Sequence, residues 1–257
     1  MKSVESIYIS PVKSMGLSQP GQVRVDFSGI VEDRRFYLVD QHGRLLTQRQ
    51  VGPLVQLASE YRIEPEWLGL ALPDGTKVEG PVELGEEITT PMWGREVAGR
   101  VVTGDWSPVL SAFCQQPVAL VKSDAPGQCY DEYPISLVSQ ASVEGLRRRA
   151  PSEVALDSRR FRPNFVLGGC EPHEEDEWLD GLVRIGEELV LRLVARDPRC
   201  AITTHDPDTG EVDLDTLRLI LSYRPSPRSP YFGVYGIVEQ PGTVSVGDTV
   251  SVGGEAV

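Results

Sequence analysis

Histidine, methionine and cysteine are scarce in this chain of 257 residues, which contains three, three and four of them. The four cysteines, Cys114, Cys129, Cys170 and Cys200, are separated by 15, 41 and 30 positions. That spacing matches no CxxC zinc pair, no ferredoxin-type iron–sulfur pattern and no dense disulfide framework. We therefore expect at most one cysteine to carry chemistry.

The chain also lacks any apolar run near the ~18 residues that a membrane-spanning helix needs. Glu5 stands where a signal peptide would begin its apolar segment, so we expect a cytoplasmic protein without membrane contact. Basic residues number 25 against 38 acidic ones, a net charge of −13 that repels polyanions and argues against nucleic acid as the main partner. Glycine-rich phosphate loops, Ser/His/Asp patterns and HExxH are absent.

Short strands separated by turns dominate the pattern that remains. Alternating apolar residues and Pro/Gly/Asp turns predict strands at 4–9, 22–26, 35–40, 45–47, 68–72, 76–78, 118–121, 164–167, 188–194, 234–238 and 243–252. Apolar spacing and capping residues predict helices at 107–115, from Ser139 onward, and near 214–221. The predicted fold class is mainly β (α+β): two β-barrel-like units with a few short helices, divided into residues 1–104 and 105–257.

Basic residues recur where a turn or a strand end would expose them. They are Lys13 next to Ser14, Arg34, and the string RFRPN that contains Arg162 and Asn164. On so acidic a chain, cations from separate segments can converge on one anionic small molecule, because guanidinium and ammonium groups suit phosphate. The alternative is that they are surface charges paired with nearby acids such as Asp33.

Cys200 follows Arg199, and a neighbouring cation makes a thiol a better nucleophile or metal ligand. The alternative is a small buried hydrophobic residue, the more common use of a single cysteine. The acidic run 171–178 with His173 can be read as a cation site or, more commonly, as a solvated loop held down by Trp178.

Taken together, several strings resemble one family, the MOSC proteins (named for the molybdenum cofactor sulfurase C-terminal domain) with their N-terminal β-barrel. The strings, in order, are ISPVKS (9–14), GIVEDRRF (29–36), LTQR (46–49), RFRPN (160–164), EDEW (175–178), RC (199–200), DPDTG (206–210), FGVY (232–235), PG (241–242) and VGD (246–248). The resemblance covers nearly the whole chain in the family's order. It assigns residues 1–104 to the β-barrel domain and 105–257 to the MOSC domain.

The resemblance implies a molybdenum cofactor (molybdopterin) whose metal is bound by Cys200. In the related mitochondrial amidoxime reducing component, the positions matching five residues here contact the cofactor: Lys13, Ser14, Arg34, Arg162 and Asn164. The position matching Tyr235 lies at the site and would be catalytic with Cys200. Pro198 departs from the family, because serine is frequent there and proline lacks both the hydroxyl and the backbone N–H.

Three functions are compatible with this resemblance. The first is a reductase of N-hydroxylated small molecules that receives electrons from an external donor protein. The second is a sulfur carrier, with Cys200 receiving a persulfide from a cysteine desulfurase. The third is a non-catalytic carrier of the cofactor. We expect metal and pterin content, together with reductase activity, to distinguish them.

Overall fold

A computed structural model describes residues 1–154 and 156–253 of the chain. Within them the strands are β1 (Ser3–Ile7), β2 (Gln22–Asp26), β3 (Gly29–Ile30), β4 (Phe36–Asp40), β5 (Leu45–Leu46), β6 (Ala58–Arg62), β7 (Trp67–Ala71), β8 (Lys77–Pro81), β9 (Leu84–Met92), β10 (Arg95–Val102), β11 (Val118–Ser123), β12 (Ile135–Ser139), β13 (Phe165–Gly168), β14 (Leu182–Ile185), β15 (Leu189–Pro198), β16 (Tyr231–Gln240), β17 (Gly242–Ser245) and β18 (Val250–Val252). The α-helices are α1 (Trp106–Cys114), α2 (Gln140–Arg147) and α3 (Thr216–Leu221), and short 3₁₀ helices cover Gly52–Gln56, Ser158–Phe161, Glu174–Trp178 and Ala201–Thr204. No helix in this part of the chain is long and apolar enough to cross a membrane.

The largest sheet has seven strands in the order β1-β13-β12-β16-β15-β14-β18. Its two edges approach each other, since Ser3 bridges Thr249 and the Val250 amide donates to the Lys2 carbonyl at 2.9 Å. The sheet is therefore nearly a closed barrel, and its interior holds a core of aliphatic side chains that includes Ile7, Leu137 and Leu191. The first strand of the chain is thus built into a sheet that otherwise consists of strands from the second half.

A five-stranded sheet, β5-β4-β11-β10-β9, and the three-stranded sheets β17-β2-β3 and β6-β7-β8 complete the architecture. Helix α1 buries Trp106 and Leu110 in the same core as Leu38 and Leu68. Strand β11 pairs with β4 and β10. Secondary structure therefore crosses the 104/105 boundary in both directions, and that division of the chain into domains stays a prediction.

The predicted fold class is confirmed, and several elements match the expected positions. Strand β2 has the predicted bounds, and α1 begins one residue earlier than predicted. Helix α2 starts after Ser139, whose hydroxyl accepts from the Ser142 amide at 3.2 Å as an N-cap should. The sequence analysis missed β3, β6, β9, β10, β12 and β14, and α3 is shorter than expected.

Candidate functional site

A cavity of about 400 Å³ receives side chains from both halves of the chain. All seven residues singled out from the sequence line it: Lys13, Ser14, Arg34, Arg162, Asn164, Cys200 and Tyr235. Its wall carries six basic side chains (Lys13, Arg34, Arg49, Arg160, Arg162 and Arg199) against three acidic ones (Asp131, Glu132 and Asp197). Basic side chains therefore outnumber acidic ones on the cavity wall, in a protein of strongly negative net charge, which favours the binding of an anion.

Lys13 reaches the cavity from the turn after β1, where its amide donates to the Phe36 carbonyl at 2.8 Å. Its side chain is only 7% exposed, and Nζ donates to the Cys129 carbonyl at 2.8 Å and to Asp131 Oδ1 at 2.6 Å. Ser14 follows with a φ of 74°, so its backbone takes the left-handed conformation that non-glycine residues adopt mainly in turns. The short turn thus presents two adjacent polar residues to one cavity.

The Asp33 carboxylate contacts residues from both halves of the chain. Its carboxylate accepts from the Ser10 amide at 2.7 Å and from Asn164 Nδ2 at 2.9 Å, and it forms an ion pair with Arg34. Arg34 in turn donates to the Arg162 carbonyl at 3.2 Å. Burial lowers the pKa of Arg34, but the carboxylates of Asp33 and Asp131 raise it by more. The pairing of an arginine with Asp33, weighed above as an alternative to anion binding, therefore exists inside the cavity wall.

Arg162, like Arg49, is a cavity guanidinium without a carboxylate ion-pair partner among the described residues. Its Nη2 donates to Ser10 Oγ at 3.0 Å and to the Met15 carbonyl at 2.7 Å. Burial, and then the charge of Arg34, lowers its pKa to about 10. The residue also has a φ of 48°, at the end of the 3₁₀ helix Ser158–Phe161. A cation held in this way gains most from a bound anion.

Asn164 is 2% exposed and its amide is used within the protein. Oδ1 accepts from the Ser136 amide at 3.0 Å, while Nδ2 donates to Asp33. The structure thus places Asn164 at the cavity as the link between β12 and the Asp33 carboxylate.

Cys200 lies between the end of β15 and the 3₁₀ helix Ala201–Thr204, where its carbonyl accepts from the Thr203 amide at 3.1 Å. It is half-buried and lines the cavity. The other three cysteines do not line it, and burial raises the pKa of Cys114 to about 11 and that of Cys170 to about 12. Cys114 and Cys129 are buried, which is the alternative that was weighed for Cys200.

Arg199 and Asp197, which the sequence analysis did not assign to the site, form a buried ion pair at 2.8 Å beside Cys200. Arg199 also donates to the carbonyls of Phe232 at 2.6 Å and Phe161 at 2.8 Å, so it joins three segments of the cavity wall. Arg199 Nη2 is buried without a hydrogen-bond partner in the described part of the chain. The sequence signal was the adjacency of Arg199 and Cys200, but the two carbonyls that Arg199 contacts lie 33 and 38 positions away.

Burial is the largest cause of the pKa shifts of Asp197 and Tyr235. It raises the pKa of Asp197 to about 6, although Arg199 lowers it. Burial, and then the charge of Asp197, raises the pKa of Tyr235 well above its ordinary value. The phenol of Tyr235 therefore stays protonated at any physiological pH, and its ring lies 5.6 Å from that of Tyr133.

The acidic run 171–178 is not part of the cavity. Glu175 is fully buried and accepts from the Ser139 amide at 3.1 Å and from Ser142 Oγ at 3.0 Å. Trp178 is 6% exposed and packs in the core of the barrel, as predicted. Across residues 1–154 and 156–253, no group of three His, Cys, Asp or Glu side chains is arranged to hold a metal ion.

Comparison with known proteins places this architecture in a family. The model for the MOSC N-terminal beta barrel domain matches residues 1–117, and the model for the MOSC domain matches residues 124–251. Mitochondrial amidoxime reducing component 2 of Rattus norvegicus is 30% identical, over 96% of this chain and 82% of its own length. Component 1 of Homo sapiens is 30% identical over 98% and 83%, and component 1 of Xenopus laevis is 32% identical over 87% and 73%.

The two domain models define a MOSC protein with its N-terminal β-barrel, which confirms the resemblance drawn from the sequence. More particularly, the chain belongs to the MOSC family that contains the mitochondrial amidoxime reducing components.

Proposed function

We propose that the protein is a molybdenum-cofactor-dependent reductase of N-hydroxylated small molecules. The observation that carries this proposal is the convergence on one cavity of Cys200 with basic side chains from both halves of the chain. The curated relatives, whose names describe the reduction of amidoximes, support the reaction class.

The donor set fits such a cofactor. A pterin cofactor carries a phosphate, and basic side chains outnumber acidic ones on the cavity wall. Two of its guanidiniums, those of Arg49 and Arg162, lack a carboxylate ion-pair partner among the described residues. Thiolate is a suitable ligand for a soft or borderline transition metal, and Cys200 is the cysteine on the cavity wall. The buried Nη2 of Arg199 and Oε1 of Gln48, both without a partner among the described residues, are the kind of polar atoms that a ligand satisfies.

In this proposal Cys200 holds the metal, Lys13, Arg34 and Arg162 bind the phosphate, and Ser14 and Asn164 fix the position of the pterin. When bound, the cofactor supplies the two-electron chemistry. Reduction breaks the N–O bond of the substrate, consumes two electrons and two protons, and releases the oxygen as water. Tyr235 keeps its proton and offers its hydroxyl to the substrate oxygen.

Electrons in this scheme come from a separate donor protein, and the substrate is a small molecule. The cytoplasmic location expected from the N-terminal residues stays a prediction, and the matched relatives are named as mitochondrial.

The test is metal and pterin analysis of protein expressed in a host that makes the cofactor. We expect close to one molybdenum per chain, and reduction of a simple amidoxime with a chemical electron donor. Cys200→Ala should fold and lose the metal, whereas Cys170→Ser, which changes a cysteine outside the cavity, should retain it. Unchanged molybdenum in Cys200→Ala would show that the ligand is another residue.

The two other functions give different results in the same experiment. A sulfur carrier would lack molybdenum and would gain the mass of one sulfur atom at Cys200 after incubation with a cysteine desulfurase. A cofactor carrier would bind molybdenum tightly and reduce no N-hydroxylated acceptor. Either outcome would replace the proposed reductase.

A further inference from the structure

The turn between β9 and β10 brings a tryptophan to the cavity. Trp93 and Gly94 connect the strands, since Met92 pairs with Arg95, and their φ angles are 52° and 80°. A bulky residue seldom adopts this left-handed conformation, which occurs preferentially at functional sites. The turn leaves Trp93 42% exposed on the cavity wall. Its position is further fixed by the Arg49 guanidinium, which lies 4.8 Å from the ring centroid.

Two hydrogen-bond donors meet at one point of this wall. Lys13 Nζ lies 2.6 Å from Asp131 Oδ1, and Trp93 Nε1 donates to the same oxygen at 3.0 Å. We call this pair of donors the Lys13–Trp93 seat. One donor comes from the turn after β1 and the other from the β9–β10 hairpin, so two separate parts of the first half build the seat.

The two side chains of the Lys13–Asp131 ion pair differ in their exposure to solvent. The Lys13 side chain is 7% exposed, whereas that of Asp131 is 53% exposed. A buried ammonium needs an anion, but a half-exposed carboxylate can exchange its partner for water. Arg95 Nη2 donates to the backbone carbonyls of Tyr130 at 2.5 Å and Asp131 at 3.2 Å. The backbone is therefore anchored, and rotation of the Asp131 side chain is enough to vacate the seat.

We propose that the Lys13–Trp93 seat binds one oxygen of a dianionic phosphate group, and that Asp131 occupies the seat only until the phosphate displaces it. Phosphate carries more charge than a carboxylate and accepts several charge-assisted hydrogen bonds, so it competes well for Lys13. Burial raises the pKa of Asp131, but Lys13 and Arg34 lower it by more, so the occupant is itself an anion. Trp93 and Asp131 thereby become binding residues of the site.

The source of the phosphate rests on the proposed function. It is either the phosphate of the cofactor or a phosphate carried by the substrate. Titration of cofactor-loaded protein with inorganic phosphate separates these sources. If the cofactor phosphate occupies the Lys13–Trp93 seat, inorganic phosphate no longer binds. If the seat binds a substrate phosphate, inorganic phosphate still binds.

The test is calorimetric titration of cofactor-free protein with inorganic phosphate. Asp131→Asn should bind phosphate about tenfold more tightly than the wild type, since the internal competitor loses its charge. Asp124→Asn is the matched control, because Asp124 is an exposed acid of the same β11–β12 connection that lies off the cavity wall. Its affinity should stay within about twofold of the wild-type value. No gain in Asp131→Asn, or an equal gain in the control, would overturn the proposal.

A second variant tests the indole. Trp93→Phe, made in the Asp131→Asn background, keeps an aromatic ring for Arg49 but removes the N–H donor. Phosphate should bind about threefold more weakly than to Asp131→Asn alone. Unchanged affinity would remove Trp93 from the seat. The titration uses no molybdenum, so it can succeed or fail independently of metal content and of reductase activity.

Discussion

Two polar clusters of this protein satisfy their charged groups differently. The Glu175 network, formed by Glu175, Ser139, Ser142 and His173, surrounds one buried carboxylate with neutral donors, and the His173 amide donates to Ser142 Oγ at 2.7 Å. The cavity instead collects more cations than carboxylates around open volume. The first arrangement is complete without a ligand, whereas the second gains from an anion, so charge balance separates a structural cluster from a binding site.

The largest effect on stability should come from the Glu175 network. Glu175→Ala leaves the Ser139 amide and the Ser142 hydroxyl without their buried acceptor, so we expect a loss of about 3 kcal/mol of unfolding free energy. Urea denaturation measures it. Glu175→Gln, which keeps one acceptor oxygen, should lose about 1 kcal/mol. Molybdenum per folded chain should not change in either variant, and a selective loss of metal would show that the network belongs to the site.

A pH effect on stability should come from Asp197 at the edge of the cavity. Burial raises its pKa to about 6 in the folded protein, so the folded state keeps a proton that the unfolded chain releases. The contribution of Asp197 to the free energy of unfolding therefore falls by about 2 kcal/mol as the pH rises from about 4 to about 6.

Urea unfolding of cofactor-free wild type and Asp197→Asn at both pH values isolates the contribution of Asp197, because the variant lacks the titrating group. An identical pH dependence in the two proteins would mean that Asp197 stays ionised throughout this range.

Arg162→Ala should have the opposite profile to the Glu175 variants. Its guanidinium serves the cavity and makes hydrogen bonds to Ser10 Oγ and the Met15 carbonyl. We expect cofactor retention to fall at least tenfold, about 1.4 kcal/mol, with a smaller change in stability. Equilibrium dialysis of loaded protein, with metal analysis, provides the measurement. Retention equal to that of the wild type would remove Arg162 from the cofactor site.

The smallest effects should come from the cysteines away from the cavity. Cys114→Ser, Cys129→Ser and Cys170→Ser should each keep molybdenum content within about 10% of the wild type, because none of these thiols lines the cavity. The two buried sites should lose about 1 kcal/mol of stability, since a hydroxyl replaces a thiol in an apolar core. Metal analysis of the three variants checks this, and a marked loss in any one of them would relocate the site.

The sequence predicted elements that nearby residues mark, and it missed elements that lack such a local mark. Ser139 identified the start of α2 because an N-cap needs only nearby residues. Strand β12 was missed because all five of its residues are buried, which removes the alternation that marks a strand. The β9–β10 hairpin was missed because its turn is Trp93-Gly94 rather than an Asn-Gly or Asp-Gly pair.

The same distinction applies to the site. Lys13, Arg34 and Arg162 were found because cations at turns on an acidic chain are conspicuous, and the family resemblance then added roles for them. The contact of Lys13 with Asp131 spans 118 positions. Only the folded chain reveals it, because no spacing rule relates residues so far apart in the sequence.

The pairing of β1 with β13, and the bridge from Ser3 to Thr249, also have a consequence for the order of events during synthesis. A ribosome releases β1 first, but its neighbours in the sheet are translated more than 150 residues later. Until they emerge, the barrel has a gap, and Lys13 and Arg34 have no Arg162 or Cys200 opposite them. Under the proposed function, cofactor loading therefore follows translation of at least the first 200 residues.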